Sequence, residues 1–219
     1  MYLPKHFAEQ RLDVLHATIN EIGFGSLISL TGGADGEPVL SASHIPMHVV
    51  ERPGTLGVLC GHLAKANAQW RDSRPEVAFL AVFIGPEGYI SPSLYAAKRE
   101  HGRVVPTWNY VAVHARGRPE FFEDPARLHA LVSMLTGVHE EERDAPWHVT
   151  DAPESYVGDQ LKGIVGFEMP IDDIRGKWKL AQNRSLEDRT GVVNALRTAQ
   201  GPENPRLADA MARTLDENR

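Results

Sequence analysis

Three short stretches concentrate side chains that could hold a ligand. The first is Gly61-His62-Leu63-Ala64-Lys65-Ala66-Asn67-Ala68-Gln69-Trp70, where an extended run gives way to a helical turn. Free backbone N–H groups at such a junction favour an anion, and Lys65 adds a point charge. Asn67 and Gln69 add donors and acceptors, and Trp70 adds a flat apolar face. That set suits the phosphate of a nucleotide-like cofactor. The plain alternative is a polar, exposed turn with Trp70 anchored in the core.

The second stretch is Val104-Val105-Pro106-Thr107-Trp108-Asn109-Tyr110. Trp and Tyr can line a ring pocket, while Thr and Asn can hydrogen-bond its edge. An ordinary strand with aromatic core residues would read the same way. The third is Gly176-Lys177-Trp178-Lys179-Leu180-Ala181-Gln182-Asn183-Arg184-Ser185, with three cations and two amides just before a capped helix. It suits a phosphate or an acidic partner, or else it is a solvated linker.

Other chemistries lack their signatures. His44 and His48 are four apart, but Pro46 between them argues against one helix face, and no HExxH pattern or cysteine pair supports a metal. There is no Gly-x-Ser-x-Gly elbow and no P-loop. Cys60 and His62 could share a strand face as a thiolate–imidazole pair, against the simpler reading of a buried inert thiol. No residue is singled out as catalytic.

The elements that must carry these stretches follow from periodicity. Leu12, Leu15, Ile19 and Ile22 predict an amphipathic helix over 8–22, stopped by Gly23. Strands are expected over Ser26–Thr31, Pro38–Pro46 and Thr55–His62, with Gly32–Gly36 as a hairpin loop. Ala64–Trp70 reads as a short helical turn and the apolar run ending at Ile84 as a buried strand over Glu76–Ile84. Gly88–Ser91, Thr107–Ala115, Gly117–Phe122 and Gly163–Pro170 complete the extended segments. Helices are expected over Asp124–Thr136, over Ala152–Leu161, from Ser185 to Gln200, and from Asn204-Pro205 onward. The fold class is therefore mainly β with helical additions (α+β). Six or seven sequential strands fit a closed or partly closed barrel, and no βαβ alternation supports a Rossmann fold.

Composition bounds the function. The chain has 219 residues, a formal charge of −6 and one cysteine. That excludes an intramolecular disulfide framework and any multi-cysteine metal site. The negative charge is local. Residues 120–160 hold ten acids against Arg127 and Arg143, a net of −8, so the remainder sums to +2 and can still hold an anion. No signal peptide is evident, and the longest apolar run has eight residues, where a spanning helix needs about 20. A cytoplasmic protein with no membrane partner is expected.

Five motifs together resemble the PaiB family of FMN-binding negative transcriptional regulators, linked to protease synthesis and sporulation. They are Met1–Phe7, Gly61–Trp70, Gly88-Tyr89-Ile90-Ser91-Pro92-Ser93, Val105–Tyr110 and Lys179-Leu180-Ala181-Gln182-Asn183-Arg184. The resemblance implies a split β-barrel of the FMN-binding, pyridoxamine-phosphate-oxidase-like type, usually a homodimer with flavin at the subunit interface. On it, residues 1–175 form the FMN-binding domain, with a helical, acidic insertion near 123–161, and 176–219 form a C-terminal helical extension.

The resemblance also implies site residues. Lys65 lies where related barrels put a cation on the FMN phosphate, with His62, Asn67 and Gln69 in the same motif. Ser43 and His44 lie on the strand that borders the flavin ring. Thr107 and Asn109 are expected from the partner subunit, with Trp108 covering the ring. Lys179, Gln182 and Asn183 belong to the late motif, in which family members often carry serine where this chain has Ala181. Regulation would act through DNA, through a transcription partner or through flavin state; residues 185–219, with six acids and five Arg, are no basic arm. The alternatives are an FMN-dependent oxidoreductase and a haem-binding protein on the same barrel, using one of the ten histidines.

Overall fold

The computed structural model describes residues 1–33, 35–198 and 204–216. In chain order the strands are β1 (Ala8–Glu9), β2 (Phe24–Gly32), β3 (Pro38–Val50), β4 (Val58–Ala64), β5 (Phe79–Ile90), β6 (Thr107–Gly117), β7 (Glu120–Phe122) and β8 (Ile164–Lys179). The helices are α1 (Leu12–Ile22), α2 (Gln69–Asp72), α3 (Ala97–Glu100), α4 (Pro125–Glu140), α5 (Glu154–Leu161), α6 (Leu186–Arg197) and α7 (Pro205–Asp216). Short 3-10 turns fall at Lys5–Phe7, Pro92–Leu94 and Val149–Asp151. The eight strands form one sheet in the order β1-β8-β4-β3-β2-β5-β6, with β7 on β8, and β6 also pairs with β8. That second pairing returns the path to β8.

The chain divides into two compact units. One comprises Leu12–Phe83 and His114–Ile174; the other comprises Met1–Arg11, Ile84–Val113 and Arg175–Arg219. In the first unit β2 pairs with β3 from Phe24↔Pro46 to Gly32↔Pro38, and β3 then continues against β4 from Met47↔Gly61 to Val50↔Val58. β4 runs antiparallel to β8 from Val58↔Pro170 to Ala64↔Ile164. Alternation along β2 buries Gly25, Leu27, Ser29 and Thr31. Gly61 has no side chain for a reason: a Cβ there would lie 2.8 Å from the Phe167 ring. On this unit the outward helix α4 starts at the Asp124 cap, whose carboxylate accepts from the Arg127 amide at 2.9 Å, and Pro125 fills the first turn. Leu128, Leu131 and Leu135 of α4 join Val58, Cys60, Phe122 and Leu161 in one apolar cluster.

The other unit packs Ile90, Tyr95, Val111 and Leu180 with Val192, Val193 and Leu196 of α6 and Leu207, Ala208 and Met211 of α7. Ser185 caps α6 by accepting from the Asp188 amide at 3.2 Å. Arg189 Nη2 donates to the Thr214 carbonyl at 2.6 Å and to its hydroxyl, tying α6 to the last turn of α7.

Several boundaries differ from those read in the sequence. The first helix starts at Leu12, because Ala8 and Glu9 pair with Lys177 and Gly176. The hairpin strand runs on to Val50 and the third strand starts at Val58. Gly85-Pro86 does not stop its strand: β5 runs to Ile90 and absorbs the separate segment at Gly88. β8 extends nine residues beyond Pro170, to Lys179. The helical turn forms over Gln69–Asp72 and not from Ala64. The expected end of α6 at Gln200 lies outside the described residues.

Candidate cofactor-binding site

β4 ends at Ala64, and the chain then turns: the Asn67 amide donates to the Ala64 carbonyl at 2.9 Å. Lys65 is fixed through its backbone. Its amide donates to the Gly163 carbonyl at 2.8 Å, and its carbonyl accepts from Trp70 Nε1 at 3.1 Å. The indole is itself occupied, with the Arg71 guanidinium 5.5 Å over its ring and Phe121 at 6.2 Å.

Gln69, only 2% exposed, is the hub of this turn. A buried amide is costly unless its groups are bonded. Its Nε2 donates to the Leu27 carbonyl and Ser29 Oγ, both at 3.0 Å, and reaches the Ser41 carbonyl at 3.3 Å. Its Oε1 accepts from Ser43 Oγ at 2.6 Å. Asn67 Nδ2 donates to the same Ser43 Oγ at 2.7 Å, and Asn67 Oδ1 accepts from the Gln69 amide at 3.0 Å. Ser43, Asn67 and Gln69 thus bond to one another and to β2 and β3.

The Lys65 ammonium is left at the surface, 48% exposed, in an ion pair with Glu123. Nearby in sequence, the exposed His44 places Nδ1 2.8 Å from Ser26 Oγ, its register partner on β2. His62 is half-buried with Nδ1 enclosed and unbonded, and burial pushes its pKa below the ordinary value. Burial first, then the Glu168 charge, raises the Cys60 thiol to about 11. It is protonated at neutral pH, which removes the thiolate–imidazole pair.

The second cluster lies in the other unit. Lys179 Nζ donates to Thr107 Oγ1 at 2.5 Å and to the Trp108 carbonyl. Two separate motifs therefore meet in one hydrogen-bonded group. Trp108 is 54% exposed, with Tyr89 edge-on at 6.3 Å between centroids. Lys177, buried on the same strand two residues back, donates to the Tyr2 carbonyl at 3.0 Å. Its ammonium lies 5.4 Å from the ring centroids of both Tyr2 and Tyr110. Burial, and then the Lys177 charge, push the Lys179 pKa down.

The remaining expected residues are placed otherwise. Asn109 is buried against α7, with Nδ2 3.4 Å from Met211 Sδ and Oδ1 unbonded. Gln182 spends its amide on its own turn, donating to the Trp178 carbonyl at 2.7 Å and accepting from the Leu180 amide at 2.9 Å. That turn holds Ala181 at φ 66°, the one non-glycine residue with positive φ among the described residues. Asn183 is exposed. Two contributors were not singled out as site residues, although Lys177 is one of the three cations of the third stretch. Lys177 was discernible, because i and i+2 share a strand face. Glu123 was not, since no local pattern ties it to Lys65.

The family described as "Putative FMN-binding domain" matches residues 1–173. The chain is 33% identical over 211 residues to protease synthase and sporulation protein PAI 2 of Bacillus subtilis strain 168, covering 96% of each chain. Among solved structures, the flavocytochrome Anf3 of Azotobacter vinelandii superposes with a TM-score of 0.56 at 13% identity, covering 86% of this chain and 78% of that one. The FAD and heme binding protein of Mycobacterium smegmatis superposes with a TM-score of 0.52 at 13% identity, covering 83% and 77%. At that identity the two structures speak for the fold alone, an antiparallel sheet with helical additions of the split-barrel kind. Motifs, coverage and fold agree, and the chain belongs to the FMN-binding-domain family of PaiB type, whose cofactor is FMN.

Proposed function

We propose that the chain works as a flavin-binding homodimer in the cytoplasm and regulates transcription in the manner its PaiB kinship suggests, through a partner or in response to flavin state. The residues present fit the cofactor. FMN needs cations for a phosphate, polar edges for a heterocycle and an aromatic surface for its plane. In one unit Lys65 offers the first on a rigid backbone and His44 the second; in the other unit, taken by itself, Thr107 offers a polar edge and Trp108 an exposed aromatic plane. Ser43, Asn67 and Gln69 act by positioning the Lys65 turn, and the enclosed, unbonded His62 Nδ1 is a polar atom that calls for a partner. Gln182 and Asn183 serve the turn around Ala181. Asn109 serves the α7 contact. When bound, the flavin supplies electron-transfer chemistry; the chain's residues bind and orient it.

The observation that carries this reading is the Gln69 hub, which uses a whole buried hydrogen-bond network to fix one exposed lysine. On this reading residues 1–175 are the FMN-binding domain, a division supported by the family match over 1–173. Among the described residues no helix is long and apolar enough to cross a membrane.

The test is the absorbance spectrum of the purified protein, followed by FMN titration and light scattering. A yellow protein, or a colourless one that takes up one FMN per chain as a dimer, is expected. A chain that takes up no FMN ends the reading. Rapid bleaching of bound flavin by NAD(P)H would turn it toward an oxidoreductase, and a Soret band on haem titration toward a haem protein.

A further inference from the structure

We propose that the groove between α4, the Val149–Asp151 turn and α5 binds a small organic monocation, a protonated amine carried on an apolar body. The inference goes beyond the flavin reading, since no residue considered for the cofactor lines this groove. All of its walls belong to the unit that comprises Leu12–Phe83 and His114–Ile174.

The groove has a wide body and a narrower end. The body holds about 550 Å³, inside the range of roughly 300–1,000 Å³ that small-molecule sites occupy. Val149, Ala152, Val157 and Leu161, all buried or half-buried, give it an apolar floor. His129, Thr150 and Glu154 are exposed and put polar groups at its edge. The narrower end, about 220 Å³, is lined by Ser133 and Thr136 and shares Val149 and Thr150 with the body. On α4 the lining positions 126, 129, 133 and 137 recur at helical spacing. They form the face opposite Leu128, Leu131 and Leu135, which pack into the apolar cluster.

Gly158 lies inside α5 and lines the body of the groove. Glycine is a poor helix former, so its place there needs a reason. At Gly61 that reason is a crowding ring, but a Cβ at Gly158 would meet nothing within 4 Å. Packing does not require this glycine; an open cavity does. Charge then selects the occupant. No Lys or Arg lines either part of the groove, so an anion finds no ion-pair partner there. Glu154 has no ion pair among the described residues. Cations nearby in sequence are committed elsewhere: Arg127 to Glu120 and Glu168, Arg143 to Glu140, and Lys162 to Asp159. The surrounding segment 120–160 carries a net charge of −8, whose summed field draws a cation and repels an anion. An apolar floor with one unanswered carboxylate at its edge fits an apolar body with an ammonium at one end.

The experiment titrates the full-length chain with phenylbutylamine, phenylbutanol and phenylbutyrate, which share one apolar body and differ in end-group charge. Binding is followed by ligand-detected NMR and calorimetry. The amine is expected to bind about three- to tenfold more tightly than the alcohol, and the carboxylate more weakly than either. Glu154→Gln removes the advantage of the amine and leaves the alcohol where it was. Gly158→Leu fills the cavity and loses both ligands, while its urea midpoint stays at or above the parent's because a better helix former replaces glycine. Ala126→Phe narrows the same cavity from α4 and repeats that loss. A parent chain that binds none of the three, or binds the carboxylate as tightly as the amine, overturns the proposal. So does undiminished amine binding in both Gly158→Leu and Ala126→Phe. None of these outcomes depends on whether the chain takes up flavin.

Discussion

The two clusters use polar side chains in opposite ways. Around Lys65 the amides turn inward: Gln69, Asn67 and Ser43 satisfy one another and the strand carbonyls, and the cation is compensated by Glu123. Around Lys179 the cation itself is the fastener, holding Thr107 and the Trp108 carbonyl, while its charge has no acidic partner among the described residues. A turn built on buried amides is rigid whether or not a ligand is present. A turn built on a lysine changes when that charge is answered. The first arrangement suits a fixed anchor and the second suits a group that senses ligand charge.

The sharpest way to break this contrast is to remove the hub. Gln69→Ala leaves Ser43, Ser29 and the Leu27 carbonyl short of a partner in a buried place. At about 1–3 kcal/mol for each buried group left unsatisfied, a loss of at least about 3 kcal/mol is expected, read as a lower urea midpoint. Gln182→Ala is the control in the other unit. Its amide serves only its own half-buried turn, so about 1 kcal/mol is expected. Equal losses would show that Gln69 is no hub.

Next in size is the anchor charge. Lys65→Ala removes the proposed phosphate partner and should cost about 1.5–3 kcal/mol in FMN binding, roughly 10- to 100-fold in Kd. Glu123→Gln releases the same lysine from its ion pair. An exposed pair is worth about 0–1 kcal/mol, so FMN affinity should rise by up to about fivefold, with a steeper salt dependence. Weaker binding in Glu123→Gln would mean that the carboxylate orients Lys65 for the ligand.

Much of this organisation was readable in the chain itself. The capping residues Asp124 and Ser185 and the strand pattern through β2 fall where local rules place them. Local rules failed where long-range pairing decides. Gly85-Pro86 sits inside β5 because a strand at a sheet position tolerates a turn signal that an isolated segment would not. β8 runs to Lys179 because its far end pairs with β1, a partner some 170 residues away in sequence. The site shows the same division. Lys179 joins two of the motifs in one hydrogen-bonded group. Which amides face inward was not legible, because Ser29 and Ser41 reach Gln69 only once the hairpin has formed.

Ala181 gives a smaller and more local test. Its φ of 66° lies in the left-handed region, which costs an L-residue about 1–2 kcal/mol and glycine almost nothing. Ala181→Gly relieves that cost but loosens the unfolded chain, so a net change of about 0–1 kcal/mol toward stability is expected. Ala181→Val should destabilise by at least about 1 kcal/mol, because a β-branched side chain fits that conformation poorly. A more stable Val variant would show that the turn does not carry this strain.

The smallest effects separate the two clusters by pH. Burial holds the His62 ring neutral, so its folded pKa lies below the unfolded value of about 6.5. Between the two values the unfolded chain binds more protons, and stability rises with pH. The His62 contribution is thus complete above the unfolded value and is lost as pH falls through the folded one. Burial, and then the neighbouring His139 charge, move His48 in the same direction, so the His62→Gln variant retains part of this slope. Lys179 obeys the same rule at alkaline pH, since its folded pKa is also depressed. Urea midpoints between pH 5 and 7.5 should fall less steeply in His62→Gln than in the parent, while Lys179→Met leaves that acid limb unchanged and flattens the alkaline one. If the acid limb of His62→Gln matched the parent's, His62 would not be a buried neutral ring in the folded chain, and its enclosed Nδ1 would have found a proton-sharing partner on the anchor side of the comparison.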